Sequence, residues 1–348
     1  MLRSDFHYDL PEELIAQDPR PRGASRMMVV VPGADPELAH RSFQDFPDEL
    51  NSGDLLVLND TRVFPARLFA RPKGNMKNPI EILLTRELEP ARWEAWCRPA
   101  RRVRPGDQLA FSDTLQAEVE ARSEGTITLR FAMEPLALRN EIERIGITPL
   151  PPYIKRPSTR PEDRESYQTV YASASGAIAA PTAGLHFTDP ILATIASKGV
   201  QIARITLHVG IGTFKTVEAE RIDDHRMDSE RYEVPASSAD AIATAMEEGR
   251  RIVAVGTTTV RALESAWRAG NGAVREGKGE TSIFMYPGFD FKVVSALLTN
   301  FHLPESTLLM LISAFAGVET IRSAYREAIA QKYFFYSYGD CMFISRKQ

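Results

Sequence analysis

The stretch Arg251–Thr259, with the sequence RIVAVGTTT, decides the fold class of this 348-residue chain. Its first five residues include an apolar run typical of a buried strand, and the next four are a glycine and three threonines. The segment that follows, Val260–Arg268, is predicted to be a helix that stops at Gly270. A strand that turns directly into a helix is the building unit of an α/β fold.

The same alternation of strands and helices extends over most of the chain. Asp54–Leu58 is a second compact apolar run, and a helix that begins at Asp189-Pro190 precedes a strand over residues 200–206. Further helices are predicted over Ser238–Glu248, Ser306–Phe315 and Glu319–Lys332. We therefore predict an α/β main domain with a largely parallel sheet, formed by residues 1–65 and 151–348.

Residues 66–150 have a different pattern of short strand-like runs. In Ile127–Phe131 apolar residues alternate with polar ones, and turn residues such as Pro105–Asp107 separate the runs. Short strands with frequent turns predict a small antiparallel β-barrel, or a sandwich, inserted into the main domain. A short helix over Leu136–Ile145 follows and is stopped by Gly146.

Composition limits the class of protein. The length favours two domains, and 43% hydrophobic with 25% charged residues is ordinary for a globular protein. With a formal net charge of -4, the molecule is not basic overall, so any contact with RNA must come from a local patch. Cys97 and Cys341 are far apart and offer neither a disulfide framework nor a zinc-ribbon or iron–sulfur spacing.

Cellular location is also indicated by the sequence. Residues 1–7 are too polar for a secretory signal, and the longest apolar run, Leu308–Ala316, is far shorter than a membrane span. We therefore expect a cytoplasmic protein without membrane association. No feature of the sequence indicates an obligate protein partner.

Three histidines lie among small and hydroxyl residues at predicted junctions between elements. His186 lies in APTAGLHFT, His208 in TLHVGIGTF and His302 in LTNFHLPEST. Histidine at such a junction can transfer protons near neutral pH, although each could instead only tie down a turn. Together with His225 they have no metal-ligand spacing, so we expect hydrogen-bonding or acid–base roles and no metal site.

Polar residues also follow two of the predicted strands. Asp60 and Arg62 come directly after the predicted strand Asp54–Leu58, where they could line a pocket. Alternatively, Asp60 could only form a turn. The turn Gly256-Thr257-Thr258 precedes a helix, so its amides could bind an electron-rich ligand group, or the threonines could simply cap the helix. Arg261 and Glu264, one turn further on, could pair with each other or face the pocket.

Two locally basic segments are candidates for contacts with RNA phosphates. Arg101, Arg102 and Arg104 lie in the inserted domain, and Lys155 and Arg156 follow it. The alternative is that these side chains are only solvated surface.

Several long motifs then occur in a recognisable order. They are LNDTRV from Leu58, LPPYIKRP from Leu150, YQTVYA from Tyr167, the two blocks around His186 and His208, VGTT from Val255, IFMYPGF from Ile283 and TNFHLP from Thr299. Over essentially its full length the chain closely resembles the S-adenosylmethionine:tRNA ribosyltransferase-isomerase family of queuosine biosynthesis.

This resemblance implies an α/β main domain with an inserted β-barrel. It also implies transfer of the ribosyl part of S-adenosylmethionine onto 7-aminomethyl-7-deazaguanine at the tRNA wobble position, which yields epoxyqueuosine-tRNA, adenine and methionine. S-adenosylmethionine would be a co-substrate, with no permanently bound cofactor and no metal. The alternatives are an S-adenosylmethionine-dependent tRNA methyltransferase and a non-catalytic RNA-binding protein.

The chemistry of this family implies roles for the candidate residues. The ribose carbon beside the sulfonium must lose a proton, and adenine leaves more readily when protonated, so we assign catalysis to His186, His208, Asp60 and His302. The expected substrate contacts are Arg62, Thr182, Gly210, Gly212, Thr213, Phe214, His225, Glu230, Gly256, Thr257, Thr258, Arg261, Glu264, Asn300 and Asp340. The chain departs from the family at Asp228, where histidine is usual, and at Lys215 and Thr216, where arginine and proline are expected.

Overall fold

The computed structural model describes residues 1–72, 79–123, 125–156, 158–210, 212 and 217–346. The strands are β1 (Arg26–Val30), β2 (Leu38–Ser42), β3 (Leu55–Asn59), β4 (Thr61–Val63), β5 (Arg67–Pro72), β6 (Ile80–Glu89), β7 (Arg92–Arg98), β8 (Gln108–Ala110), β9 (Gln116–Arg122), β10 (Thr126–Phe131), β11 (Ala174–Ala177), β12 (Gln201–Leu207), β13 (Glu230–Val234), β14 (Ile252–Val255), β15 (Gly277–Thr281), β16 (Ala296–Asn300) and β17 (Cys341–Ser345). The α-helices are α1 (Pro135–Ile145), α2 (Asp163–Ser166), α3 (Asp189–Ser197), α4 (Ala236–Glu247), α5 (Thr257–Ala269), α6 (Thr307–Ala316) and α7 (Val318–Ala330).

Nine strands form one sheet, in the order β15-β13-β12-β3-β14-β16-β17-β1-β2. The central strands β12, β3, β14 and β16 are parallel, as predicted. The expectation of a largely parallel sheet is nevertheless wrong, because β16 pairs antiparallel with β17 and both edges are antiparallel. Strand β13, which lies between β15 and β12, is buried on one face only, which antiparallel strands tolerate, whereas β3 is buried on both faces.

Strand β3 shows why the sheet has a core on each side. Its period-two alternation sends Leu55 and Val57 into one hydrophobic cluster and Leu56 and Leu58 into the other. Helices α4, α5 and α6 pack in the first cluster, and α3 contributes Ile195 to the second. The α/β class predicted from the sequence is therefore confirmed.

The inserted region forms a closed six-stranded antiparallel barrel, in the order β10-β7-β6-β5-β8-β9. The barrel prediction is confirmed, and the sandwich alternative is wrong. Helix α1 ends before Gly146, as expected, and packs Leu138 and Ile142 into the barrel's cluster. The domain limits at residues 66 and 150 stay a prediction.

The four parallel strands end at the same edge of the sheet. Strand β3 ends at Asn59, β12 at Leu207, β14 at Val255 and β16 at Asn300. In open α/β sheets, ligands bind outside the carboxyl ends of the strands. This edge therefore positions the candidate site.

Candidate functional site

The turn after β14 lies at the centre of this edge. Gly256 is the N-cap of α5 and has φ +87° and ψ 150°, a backbone conformation that glycine alone adopts readily. No side chain caps the helix, and the Thr259 hydroxyl donates to the Val255 carbonyl at 2.6 Å. The alternative of threonine capping is therefore wrong. The first backbone amides of α5 have no partner within the helix, as at the start of any α-helix.

A central cavity of about 50 Å³ lies against this turn. Its lining includes Thr182, Gly256, Thr257, Thr258, Asn300 and His302. The structure thus brings six of the expected site residues together. Because ligand pockets usually measure roughly 300–1,000 Å³, only a small chemical group fits this cavity as it stands.

His302 is held firmly in the wall of the central cavity. Its Nε2 is 2.7 Å from the Thr299 hydroxyl, its backbone amide donates to the Tyr325 hydroxyl at 2.8 Å, and the Tyr8 hydroxyl donates to its carbonyl. Burial lowers the pKa of His302 to about 3. The ring is therefore neutral at pH 7, which suits a hydrogen-bonding role.

His186 lines a second cavity, of about 410 Å³, together with Arg20 and Arg22. It is only 4% exposed, and its Nδ1 is 2.9 Å from the Ser25 hydroxyl. Burial lowers the pKa of His186 to about 4, although Asp340 and Asn300 oppose the shift. A ring so enclosed is poorly placed to exchange protons with a bound ligand.

Asn300 lies between these two cavities. Its Nδ2 donates to the Tyr336 carbonyl at 3.0 Å, and its buried Oδ1 has no hydrogen-bond partner within the described ranges. Asn300 borders the central cavity, and its side chain affects the pKa of His186 on the other side. Ser337 lines both cavities, so the two are close neighbours.

His208 lines a third cavity, of about 360 Å³, with Arg231, Tyr232 and Lys278. Its Nδ1 is 2.9 Å from the Thr61 hydroxyl. Burial lowers the pKa of His208, Arg231 adds to the shift and Asp60 opposes it. His186 and His208 therefore line different cavities, although both lie at the same edge of the sheet.

Asp60 is hydrogen-bonded to Thr206, which lines the third cavity. Its two carboxylate oxygens accept from the hydroxyls of Thr206 and Ser173, each at 2.7 Å. These contacts are long-range, so Asp60 is more than a local turn-former. Arg62 lies exposed in β4 and is absent from the lining of the cavities described above.

Of the two alternatives for Arg261 and Glu264, the pairing with each other is wrong. Arg261 instead forms a buried ion pair with Glu230, whose Oε1 accepts from the Gly210 amide at 2.9 Å. Glu264 accepts from Arg268 and from three successive amides, at residues 292–294. The Glu264 carboxylate therefore has a structural role, and Glu264 does not line the cavities described here.

Asp340 is likewise engaged by the protein. Its fully buried carboxylate accepts from Arg20 at 2.9 Å and from the amides of Arg26 and Phe334 at 2.8 Å each. These bonds tie the end of the chain to β1. Through its charge, Asp340 also raises the pKa of His186.

The remaining candidates surround the segment after β12. A Cβ on Gly212 would lie 2.7 Å from an Asp228 carboxylate oxygen, so this glycine permits a close approach. The His225 ring packs edge-on against Phe284 with 5.2 Å between centroids. The predicted substrate contacts Thr213 and Phe214, and the departures at Lys215 and Thr216, lie outside the described residues.

The basic residues predicted to contact tRNA differ in their exposure and in their contacts within the protein. Arg101, Arg102 and Arg104 are exposed in and beside the 3₁₀ helix Ala100–Arg102 of the barrel region. Lys155 is exposed and pairs with Glu12. Arg156 donates to both carboxylate oxygens of Asp163, at 3.0 Å each, and to the Gln17 carbonyl. Its guanidinium therefore has a structural role.

The sequence reasoning missed three residues that organise the site. Asn59 donates to the Leu207 carbonyl at 3.0 Å and to the Thr258 hydroxyl at 3.1 Å, which joins the ends of β3 and β12 to the first turn of α5. The Thr61 hydroxyl is hydrogen-bonded to His208 Nδ1, and the Ser25 hydroxyl is hydrogen-bonded to His186 Nδ1. Asn59 and Thr61 flank Asp60 in one motif, so their position could have indicated them. Nothing around Ser25 distinguishes it in the sequence.

Among the described residues, no three His, Cys, Asp or Glu side chains are grouped closely enough to hold a metal ion. No single helix in those ranges is long and apolar enough to cross a membrane. Helices α6 and α7 meet that length and composition test only as a pair, bent by 115°.

The fold defines an α/β protein whose candidate site lies at the carboxyl ends of parallel strands. A sequence model of the family described as "Queuosine biosynthesis protein" matches residues 3–344, and the chain belongs to this family. The S-adenosylmethionine:tRNA ribosyltransferase-isomerase of Anaeromyxobacter sp. (strain Fw109-5) is 49% identical over 352 residues, 99% of each chain. The crystal structure of S-adenosylmethionine tRNA ribosyltransferase from Thermotoga maritima is 39% identical with a TM-score of 0.55, and the match covers 98% of this chain and 100% of that one.

Proposed function

We propose that this chain transfers the ribosyl part of S-adenosylmethionine to 7-aminomethyl-7-deazaguanine at the wobble position of a tRNA and isomerises it. Epoxyqueuosine-tRNA, adenine and methionine are the products. The observation that carries the proposal is the 49% identity, over 99% of both chains, to a protein named for this activity. Support comes from the convergence of the Gly256 turn, the His208 loop and the segment Asn300–His302 at one sheet edge.

The reaction requires proton transfer at the ribose carbon beside the sulfonium, at the departing adenine and at the incoming amine. His208 is our candidate for one of these transfers, because its ring lines an open cavity and Thr61 fixes one nitrogen. His186 and His302 are buried and neutral, so we assign them positioning roles, His186 at the second cavity and His302 at the central cavity. Asp60 supports His208 through its charge.

We place an electron-rich group of S-adenosylmethionine, such as its carboxylate, against the amides at the start of α5. A helix amino terminus favours negative charge, and Thr257 and Thr258 border the central cavity. The size of that cavity admits one small group, so the rest of the molecule must extend into a flanking cavity. Arg261 acts here through Glu230 and Gly210.

The tRNA contacts are proposed for the barrel region. Arg101, Arg102 and Arg104 are exposed next to one another, and phosphate contacts from such clusters supply affinity without reading sequence. Lys155 is a further candidate at an exposed position. Arg156 is left out of this set, because Asp163 occupies its guanidinium.

Product analysis tests the proposal against its two alternatives. The protein is incubated with S-adenosylmethionine and a tRNA that carries 7-aminomethyl-7-deazaguanine, and the small molecules are separated by liquid chromatography with mass detection. We expect adenine and methionine in equal amounts. S-adenosylhomocysteine would indicate a methyltransferase, and binding of the tRNA without either product would indicate a non-catalytic RNA-binding protein.

A further inference from the structure

We propose that Thr61 is a positioning residue that orients His208, so that Nε2 of this histidine accepts a proton in the cavity beside it. The inference rests on the proposed ribosyl transfer, because it assigns a role within that reaction. Thr61 is fully buried at the start of β4, immediately after Asp60.

The direction of two hydrogen bonds carries the argument. The Thr61 hydroxyl oxygen is 2.9 Å from His208 Nδ1 and 3.5 Å from the Ala174 carbonyl oxygen. A carbonyl only accepts, and a hydroxyl has a single proton to donate. When Thr61 donates to Ala174, it accepts the proton of Nδ1–H. The ring then carries its proton on Nδ1 and a lone pair on Nε2.

Gly176 fixes the ring from a second direction. A Cβ at this glycine, which has φ +154°, would lie 2.8 Å from His208 Cε1 and 2.9 Å from Nδ1. The imidazole therefore rests against bare backbone, and no larger residue could take this place without moving it. Within the described residues no group bonds Nε2, and His208 lines the cavity of about 360 Å³.

The charged groups around His208 are consistent with a neutral ring. Burial and the cations Arg231 and Lys278 lower its pKa, whereas the carboxylates of Asp60 and Glu233 raise it, and the net shift is downward. An imidazole must be neutral before it can accept a proton. These charges do not determine which of the two ring nitrogens carries the proton. The hydrogen bond to Thr61 makes that choice.

The test compares Thr61→Val with Thr61→Ser in the full-length protein. Valine keeps the volume and loses the hydroxyl, whereas serine keeps the hydroxyl. We expect Thr61→Val to lower kcat at least about tenfold, a part of the roughly 10²–10⁴-fold that general acid–base catalysis contributes. The KM values for both substrates should change less than about twofold. Thr61→Ser should recover most of kcat, and Thr281→Val, which removes another buried threonine hydroxyl, should be active.

Nitrogen-15 NMR of the His208 ring gives an independent readout. We expect the Nδ1–H tautomer in the wild type and in Thr61→Ser, and a shift towards Nε2–H in Thr61→Val. An Nε2–H ring in the wild type, an unchanged kcat in Thr61→Val or equal losses in both variants would overturn the proposal. If the wild type holds Nδ1–H but releases no adenine, the proposed function fails while the orientation of His208 stands.

Discussion

Replacing Arg261 with methionine should destabilise the protein by about 3–5 kcal/mol, the usual cost of removing one partner from a buried ion pair. The side chains of Arg261 and Glu230 are only 5% and 4% exposed. Methionine has a similar length but no charge, so the buried Glu230 carboxylate would lose this ion pair. The Gly210 amide donates to the same carboxylate, so the substitution should also disturb the backbone at Gly210.

Urea unfolding followed by circular dichroism measures this loss. Arg221→Ala is the control, because Arg221 and Asp223 form an ion pair with 61% and 45% exposed side chains. That change should cost at most about 1 kcal/mol. The double variant Arg261→Met with Glu230→Gln should recover part of the loss, since the buried charge is then gone. A cost for Arg261→Met as small as that of Arg221→Ala would refute the reasoning.

Three further predictions follow from the same structure. Gly256→Ala should cost about 1–3 kcal/mol, because its φ of +87° strains any side chain, and should weaken S-adenosylmethionine binding measured by calorimetry. Joint replacement of Arg101, Arg102 and Arg104 by alanine should reduce the salt dependence of tRNA binding by roughly 2–3 in the log–log slope. Stability should fall as the pH drops from about 6.5 towards 4, because the unfolded chain then protonates histidines that the fold keeps neutral. His302, whose pKa is lowered to about 3, contributes to this fall, so His302→Gln should flatten it.

Each of these predictions has a control or a contradicting result. Gly249→Ala also changes a glycine with positive φ, +65°, but with nothing within 4 Å of the new Cβ, and it should leave binding intact. Arg139→Ala removes an exposed arginine of α1 that pairs with Glu87, and should leave the salt slope unchanged. An identical pH profile in His302→Gln and the wild type would show that its burial is not linked to stability.

Local patterns predicted much of the fold because they depend on neighbouring residues. The apolar run of β14, its glycine turn and α5 are all encoded within residues 251–269. The pairing of strands is not local, and this explains the error about the sheet. Strand β17 comes last in the chain yet lies between β16 and β1, antiparallel to the first and parallel to the second.

The candidate site was predictable only to the level of motifs. Neighbours His208 and Val209 line different cavities, since successive residues of an extended chain point in opposite directions. For Arg261 the sequence left open a pair with Glu264 or a place in the pocket, and the residue instead pairs with a carboxylate 31 positions away. Partners so far apart in sequence depend on how the elements are arranged in space. The sequence therefore predicted which residues belong to the candidate site but not which residues they contact.

The most direct test of the account is the fate of isotopic label from S-adenosylmethionine. One sample carries carbon-13 in the ribose and a second carries it in the methyl group, and each is incubated with the protein and tRNA bearing 7-aminomethyl-7-deazaguanine. Mass spectrometry of the digested tRNA should find the ribose label in the modified nucleoside and none of the methyl label. Methyl label in the tRNA, with the ribose label left in S-adenosylhomocysteine, would contradict the proposed ribosyl transfer.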